Sequence, residues 1–211
     1  MGKKDALIDQ LISCGYLKTP RVIDAMRGVK REDFLSPEME RFAYEDTPLS
    51  VGSDQTISAP HMVAIMCENA DLKEGLKVLE IGAGSGYHGC VTSRITETTV
   101  YSVERIESLA KSAEKNLEKA GCKDVSVIVG DGTLGYPAEA PYDRIIVTAG
   151  APDIPPPLID QLKQGGKLLI PVGSRISQEL LRITKEQTGL KKEDLGGCVF
   201  VPLLGRYGWK E

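Results

Sequence analysis

Lysine and arginine never gather beside aromatic residues in this chain, and the net charge is −4. Tight binding to nucleic acid needs a basic stripe to neutralise phosphates, so that class of partner is excluded. Long apolar runs are missing too. Nothing approaches the roughly 20 residues a membrane-spanning helix requires. The opening Met1-Gly2-Lys3-Lys4-Asp5 does not resemble a secretory leader. Gly2 lacks the hydroxyl residue of an acylation signal, because Ala6 stands in its place. A cytoplasmic protein without membrane contact is expected. Cysteine is sparse: Cys14, Cys67, Cys90, Cys122 and Cys198 are scattered and never spaced as C-x-x-C. They read as reduced thiols in a reducing compartment, and no metal site is expected. Internal repeats and low-complexity tracts are absent. A chain of 211 residues therefore reads as one α/β domain, 1–211, with an extension over 1–72 and a core over 73–211.

What the chain does have is alternation. In the extension, Leu7, Ile8, Leu11 and Ile12 share a helix face. Pro20 opens a second helix, with Thr19 as its cap and Val22, Ile23 and Met26 inward. Residues 44–58 hold Pro48, Gly52 and Ser53 and read as a long loop or ribbon laid over the body. Pro60 starts a helix that runs to about Ala70, with Met62, Val63, Ile65 and Met66 mostly inward. From Leu76 onward, strands at 77–81, 100–103, 125–129, 144–147 and 167–171 alternate with helical stretches. The clearest helix carries Ile106, Leu109, Ala110, Ala113, Leu117 and Ala120 on one stripe and stops at Gly121. Residues 179–185 and 197–201 read as a closing antiparallel pair. The expected fold is α/β: a doubly wound, mostly parallel, seven-stranded Rossmann-like sheet.

The most informative stretch is Val78-Leu79-Glu80-Ile81-Gly82-Ala83-Gly84-Ser85-Gly86. A buried strand runs into a turn kept bare by glycines at alternate positions, so a ligand can lie against the main chain. Glu80 is an acid inside that strand, where a purely structural strand prefers an apolar residue. The next strands end at Glu104 and at Gly130-Asp131-Gly132. In a doubly wound sheet these ends face the ligand crevice. The dinucleotide fingerprint G-x-G-x-x-G does not fit, because its last glycine falls on Tyr87. An adenosyl ligand without a pyrophosphate fits better. Glu104 can accept both ribose hydroxyls through its two oxygens, and Asp131 can accept from an adenine amino group. Both suit S-adenosylmethionine.

A second constellation is Gln55-Thr56-Ile57-Ser58-Ala59-Pro60-His61-Met62. Ser58 reads as a helix cap ahead of Pro60, and the same bare N–H groups and hydroxyl suit a carboxylate. His61 reads as a packing or hydrogen-bonding residue rather than a base. His88 either touches the ligand or faces solvent from the first turn of its helix. Asp143 reads as structural, and the thiols as small core residues.

These segments resemble the protein-L-isoaspartate (D-aspartate) O-methyltransferases, S-adenosylmethionine-dependent repair enzymes. The resemblance runs from about Asp5 to Trp209. It is most specific at 55–62, with further matches at 129–132, 135–136, 140–143, 158–163 and 200–203. It implies a Rossmann-like methyltransferase with isoaspartyl peptides and damaged proteins as substrates, S-adenosylhomocysteine as product, no metal, and a monomer. Carried over, it implies Ser58 as the active-site residue, with Thr56 and Ile57 beside cofactor and substrate carboxylate. It assigns Gly82 and Gly84 to the methionine part, Glu104 to the ribose, and Asp131 with Gly132 to the adenine. Gln55, Glu80, Gly86 and Arg105 complete the implied cofactor set. Another methyltransferase on the same fold, a nucleotide-dependent dehydrogenase and a non-catalytic S-adenosylmethionine-binding module are the rivals. Differences at 55–62, the early third glycine and the presence of Ser58 weigh against them in turn.

Overall fold

The structure is a computed structural model and describes residues 2–210. Met1 and Glu211, the ends of the expected domain, lie outside the described residues. The main sheet holds β3 (Val78–Ile81), β4 (Val100–Glu104), β5 (Val125–Val129), β6 (Tyr142–Val147), β7 (Leu162–Gly173), β8 (Gln178–Glu186) and β9 (Gly189–Cys198). Their order is β5-β4-β3-β6-β7-β8-β9, parallel through β7 and antiparallel beyond it. The chain winds outward from β3 to β5, then crosses back to β6 on the other side of β3. That reversal makes the carboxyl ends of β3, β4 and β6 the switch point.

Alternation in the strands explains both faces. Val78, Ile146 and Leu169 pack with α1 (Lys3–Ser13), α2 (Pro20–Gly28), α3 (Pro60–Asn69) and α4 (Tyr87–Thr96), and with Leu117 of α5 (Glu107–Lys119). Leu79, Ile145, Val147 and Leu168 point the other way. That second face is covered by α6 (Pro156–Asp160), by short turns and by the C-terminal segment. Residues 44–58 contain a ribbon, β1 (Leu49–Gly52) with β2 (Gln55–Ile57), and η-type turns precede it at Arg31–Phe34 and Glu40–Phe42.

Several expectations are corrected. The last strand is Gly189–Cys198, not 197–201. It is an edge strand whose charged run of Lys191, Lys192 and Glu193 lacks apolar alternation, so its pattern is invisible in sequence. Residues 199–201 leave the sheet instead. The Gly150 N–H donates to Val201 O at 2.8 Å, and the Leu203 N–H donates to Gly150 O at 2.8 Å. Strand β7 starts early, at Leu162, and absorbs Gly165-Gly166 through a register shift against β6. Ile12 is exposed at 38% and lies off the buried face of α1. Thr19 flanks α2 without a side-chain cap, because its hydroxyl donates to Glu68 at 2.6 Å.

The cysteines are not all thiols. Cys90 in α4 and Cys122 after α5 form a disulfide, with Cα atoms 5.7 Å apart. These two helices lie side by side on one face of the sheet, which brings together residues 32 apart in the chain. Cysteine usage therefore carries no inference about compartment. Closing that loop is worth about 3–4 kcal/mol by chain entropy. Reduction, or Cys90→Ser with Cys122→Ser, should lower Tm by roughly 7–15 °C in a thermal scan. An unchanged midpoint would show that the bridge contributes no stability. Among the described residues no helix is long and apolar enough to cross a membrane.

Candidate active site

After β3 the chain turns through Gly82, Gly84 and Gly86 with φ of 95°, 54° and 90°. A Cβ on Gly82 would collide with Thr148 Oγ1, and one on Gly86 would sit 3.0 Å from Leu117. Only glycine accepts both the left-handed backbone and the close approach. Gly84 has open space where a side chain would be, on the cavity side. Asn116 of α5 steadies the turn by donating to Ser85 O at 3.0 Å.

A cavity of about 620 Å³, partly open to solvent, lies against this turn. Gln55, Thr56, Gly82, Gly84, Glu104, Arg105 and Gly132 line it, with the apolar Ile106 and residues 201–204. Glu104 is buried at the end of β4. One of its oxygens accepts the Gly84 N–H and the other the Ile106 N–H, each at 3.0 Å. A lone pair remains on each oxygen, which is what a vicinal diol needs.

Three expected cofactor residues stand elsewhere. Asp131 is absent from the cavity wall. Its Oδ1 accepts from the Thr133 N–H at 2.9 Å and the Thr133 hydroxyl at 2.7 Å, and its Oδ2 accepts the Arg206 N–H at 2.8 Å. It straps down the C-terminal segment that roofs the cavity. Glu80 is buried beneath the turn and accepts from Ser102 Oγ. Gly86 also lies behind the wall, starting α4.

A smaller cavity of about 330 Å³ adjoins the first and is lined by Ile57, Ser58, Ala83, Ser85 and His88. A groove on its far side is bounded by Pro48, Ser58, His61, Met62 and residues 197–201. Thr56 and Thr148 line all three spaces. Ser58 lies between the small cavity and the groove.

The start of α3 differs from expectation. Its N-cap is Ala59, without a side-chain bond, so Ser58 does not cap it. Pro60 has no N–H, the His61 N–H donates to Asp46 Oδ1 at 2.8 Å, and the Met62 N–H returns to Ala59 O at 3.0 Å. The first turn thus offers no bare N–H to a ligand. The groups left are the Ser58 hydroxyl and the Ser58 and Ala59 N–H groups, which make no hydrogen bond among the described residues. His61 Nδ1 meets the same Asp46 oxygen at 2.9 Å.

His88 is buried, not solvent-facing, and lines the small cavity. Its Nε2 is 3.5 Å from Cys67 Sγ, and its Nδ1 is 3.8 Å from Glu80 Oε1. Burial pushes Glu80 up to about 8, although Ser102 pulls it the other way, and burial pushes His88 down to about 4. The raised carboxyl favours the fold completely below its ordinary range, and that contribution is lost as pH climbs to about 8. His88 acts oppositely, so its contribution rises from about pH 4 to its ordinary value near 6.5 and is then level. Above about pH 6.5 only the Glu80 loss remains. Urea titrations should show unfolding free energy falling from about pH 6.5 to 8, and Glu80→Gln should flatten that fall. An equally steep fall in the variant would remove Glu80 as its cause.

Sequence reasoning missed Thr148, and it matched residues 200–203 to the family without placing 201–204 over the cofactor cavity. Thr148 Oγ1 lies 3.0 Å from Ile81 O and 2.8 Å from Gly82 O, tying the end of β6 to the glycine turn. A polar residue directly after an apolar strand was the available signal. Among the described residues no cluster of histidine, cysteine, aspartate or glutamate is fit to hold a metal ion.

The family model for protein-L-isoaspartate (D-aspartate) O-methyltransferase matches residues 2–208. A protein-L-isoaspartate O-methyltransferase from Hyperthermus butylicus is 54% identical, over 97% of this chain and 90% of its own length. One from Pyrococcus abyssi is 50% identical over 97% and 95%. A solved protein-L-isoaspartate O-methyltransferase superposes with a TM-score of 0.87 at 31% identity, covering 97% of this chain and 67% of its own. A putative one from Plasmodium falciparum, in complex with S-adenosyl-L-homocysteine, gives 0.86 at 26% identity, over 97% and 99%. With the glycine turn, the Glu104 carboxylate and the Ser58 junction in place, the chain belongs to the protein-L-isoaspartate (D-aspartate) O-methyltransferase family.

Proposed function

We propose a division of labour by which this chain carries out its family's reaction, methylation of the free carboxylate of isoaspartyl residues in damaged proteins. The cofactor is S-adenosylmethionine, which supplies an electrophilic sulfonium methyl. The residues present fit it: a side chain at Gly84 would stand in the open space of the cavity, and Glu104 keeps a lone pair on each oxygen. Gly82, Gly84, Glu104, Arg105 and Gly132 would hold it, with Ile106 and residues 201–204 against the adenine. Gln55 and Thr56 close the cavity from the ribbon side.

The acceptor is already an anion at neutral pH, so no general base is required. What the protein must supply is alignment and the exclusion of water. The Ser58 hydroxyl and the Ser58 and Ala59 N–H groups are donors with no partner among the described residues, and they hold one carboxylate oxygen while the other faces the cofactor. Ile57 and Thr56 flank that position. An extended damaged segment lies in the groove along 197–201 and is read through its backbone, which suits a substrate of varied sequence. The methyl ester carries a better leaving group, methoxide, than the free carboxylate does. The neighbouring backbone amide nitrogen attacks the ester carbonyl and loses its proton as methanol departs, and hydrolysis of the resulting succinimide returns part of the chain to normal aspartate.

One observation carries this reading: Thr56 and Thr148 border the cofactor cavity, the small cavity and the groove alike, and Ser58 stands beside them where the small cavity meets the groove. Methyl transfer to an isoaspartyl peptide, with the aspartyl version as control, tests it. Equal transfer to both peptides, or to neither, would overturn it.

A further inference from the structure

Arg31 opens the short turn Arg31–Phe34 and is 1% exposed. Its Nη1 donates to Ala43 O at 2.8 Å, and its Nη2 donates to Thr47 O and Ser58 O at 3.1 Å each. Its Nε has no partner among the described residues, and no carboxylate there comes within ion-pair distance of it. A buried cation held only by carbonyl oxygens is costly, and an apolar side chain would fill the space at less expense to stability. The guanidinium does something an apolar group cannot. Its planar fork joins two segments that wall the groove: the 43–47 loop leading to Pro48, and the β2–α3 turn carrying Ser58. The same loop carries Asp46, which holds His61 at the start of α3. The groove lining itself contains no lysine or arginine, although the acceptor is a carboxylate.

We propose that Arg31 is the positioning residue of the methyl-accepting site: its guanidinium fixes the Ser58 main chain against the 43–47 loop and sets a positive charge with no direct ion pair behind it. The inference rests on the role given to Ser58 above. It concerns acceptor binding and alignment, and it leaves the cofactor cavity alone, since Arg31 touches none of that cavity's lining.

The test compares the parent with Arg31→Lys and Arg31→Met, alone and combined with Ser58→Ala. The readouts are kcat and KM for an isoaspartyl peptide, the Kd for S-adenosylhomocysteine, and the circular dichroism spectrum. Arg31→Met should lower kcat/KM about 100-fold, and Arg31→Lys, which keeps the charge but not the fork, about 10-fold. The Kd for S-adenosylhomocysteine should stay within about twofold in both. In the Ser58→Ala background the Arg31→Lys loss should shrink to less than about twofold, because the two residues act on one position. Millimolar guanidinium should restore part of the turnover of Arg31→Ala, where equal sodium chloride does not. If Arg31→Met does not fold, Arg31→Lys decides by the same split. Unchanged kcat/KM in a folded variant, an equal loss of cofactor affinity, or full additivity with Ser58→Ala would each overturn the proposal. A silent Ser58→Ala would sink the Ser58 role itself. A costly Ser58→Ala beside a silent Arg31→Lys would sink the Arg31 inference alone.

Discussion

Ser58→Ala should cut kcat on an isoaspartyl peptide by about 100-fold or more, the usual scale for losing one aimed donor. Cofactor affinity should stay within about twofold of the parent, since Ser58 does not line the larger cavity. The variant is unusually clean. Because the cap position of α3 is Ala59, removing the Ser58 hydroxyl strips no helix of a partner. The hydroxyl also makes no hydrogen bond among the described residues, so no buried acceptor is orphaned. Stability should therefore hold within about 0.5 kcal/mol. A drop in turnover with an unchanged melting curve assigns the hydroxyl to the acceptor carboxylate. Unchanged turnover removes that assignment.

Glu104→Gln should weaken cofactor binding about 100-fold while costing less than about threefold in kcat at saturation. Each carboxylate oxygen of Glu104 accepts one backbone N–H, from Gly84 or from Ile106. A glutamine must turn its NH₂ toward one of these donors, which costs that bond and turns a diol acceptor into a donor. Losing charge-assisted bonds to two hydroxyls is worth about 3 kcal/mol. Calorimetric titration with S-adenosylmethionine and S-adenosylhomocysteine should show the same weakening for both, since the ribose is common to them. A change of less than about threefold would mean that Glu104 shapes the turn and does not hold the ribose.

The sheet was legible because burial writes itself into composition. Strands such as Val78–Ile81 and Tyr142–Val147 are buried on both faces and read as apolar runs interrupted only by Glu80 and by Asp143-Arg144. The glycine turn was legible because only glycine tolerates its backbone. Strand β9 was not: it sits at an edge with charged side chains in water, and its length is set by pairing with β8 rather than by its own pattern. Ser58 carried two compatible readings in sequence, cap and carboxylate donor, and backbone geometry removes the first by placing Ala59 at the cap. Asp131 followed a family pattern toward the adenine, yet its oxygens are held by Thr133 and Arg206. That engagement depends on where the far end of the chain lands. The Cys90–Cys122 bridge and the Arg31 fork are likewise long-range events, joining positions no local pattern relates. Thr148 lay in plain view as the polar residue closing an apolar strand, a signal that marks a strand end without naming the partner it ties down.

The roof over the adenosyl cavity has a temporal consequence. Residues 201–204 are pinned through Gly150, and the strap is completed by Arg206 on Asp131, Tyr207 on Thr133 and the Trp209 indole on Gly150 O at 3.0 Å. During synthesis the glycine turn and Glu104 leave the ribosome about a hundred residues ahead of that strap, many seconds earlier at ordinary elongation rates. A growing chain thus lacks the 201–204 wall of its cleft until the last residues emerge, and the Trp209 indole is the final contact to reach Gly150 O.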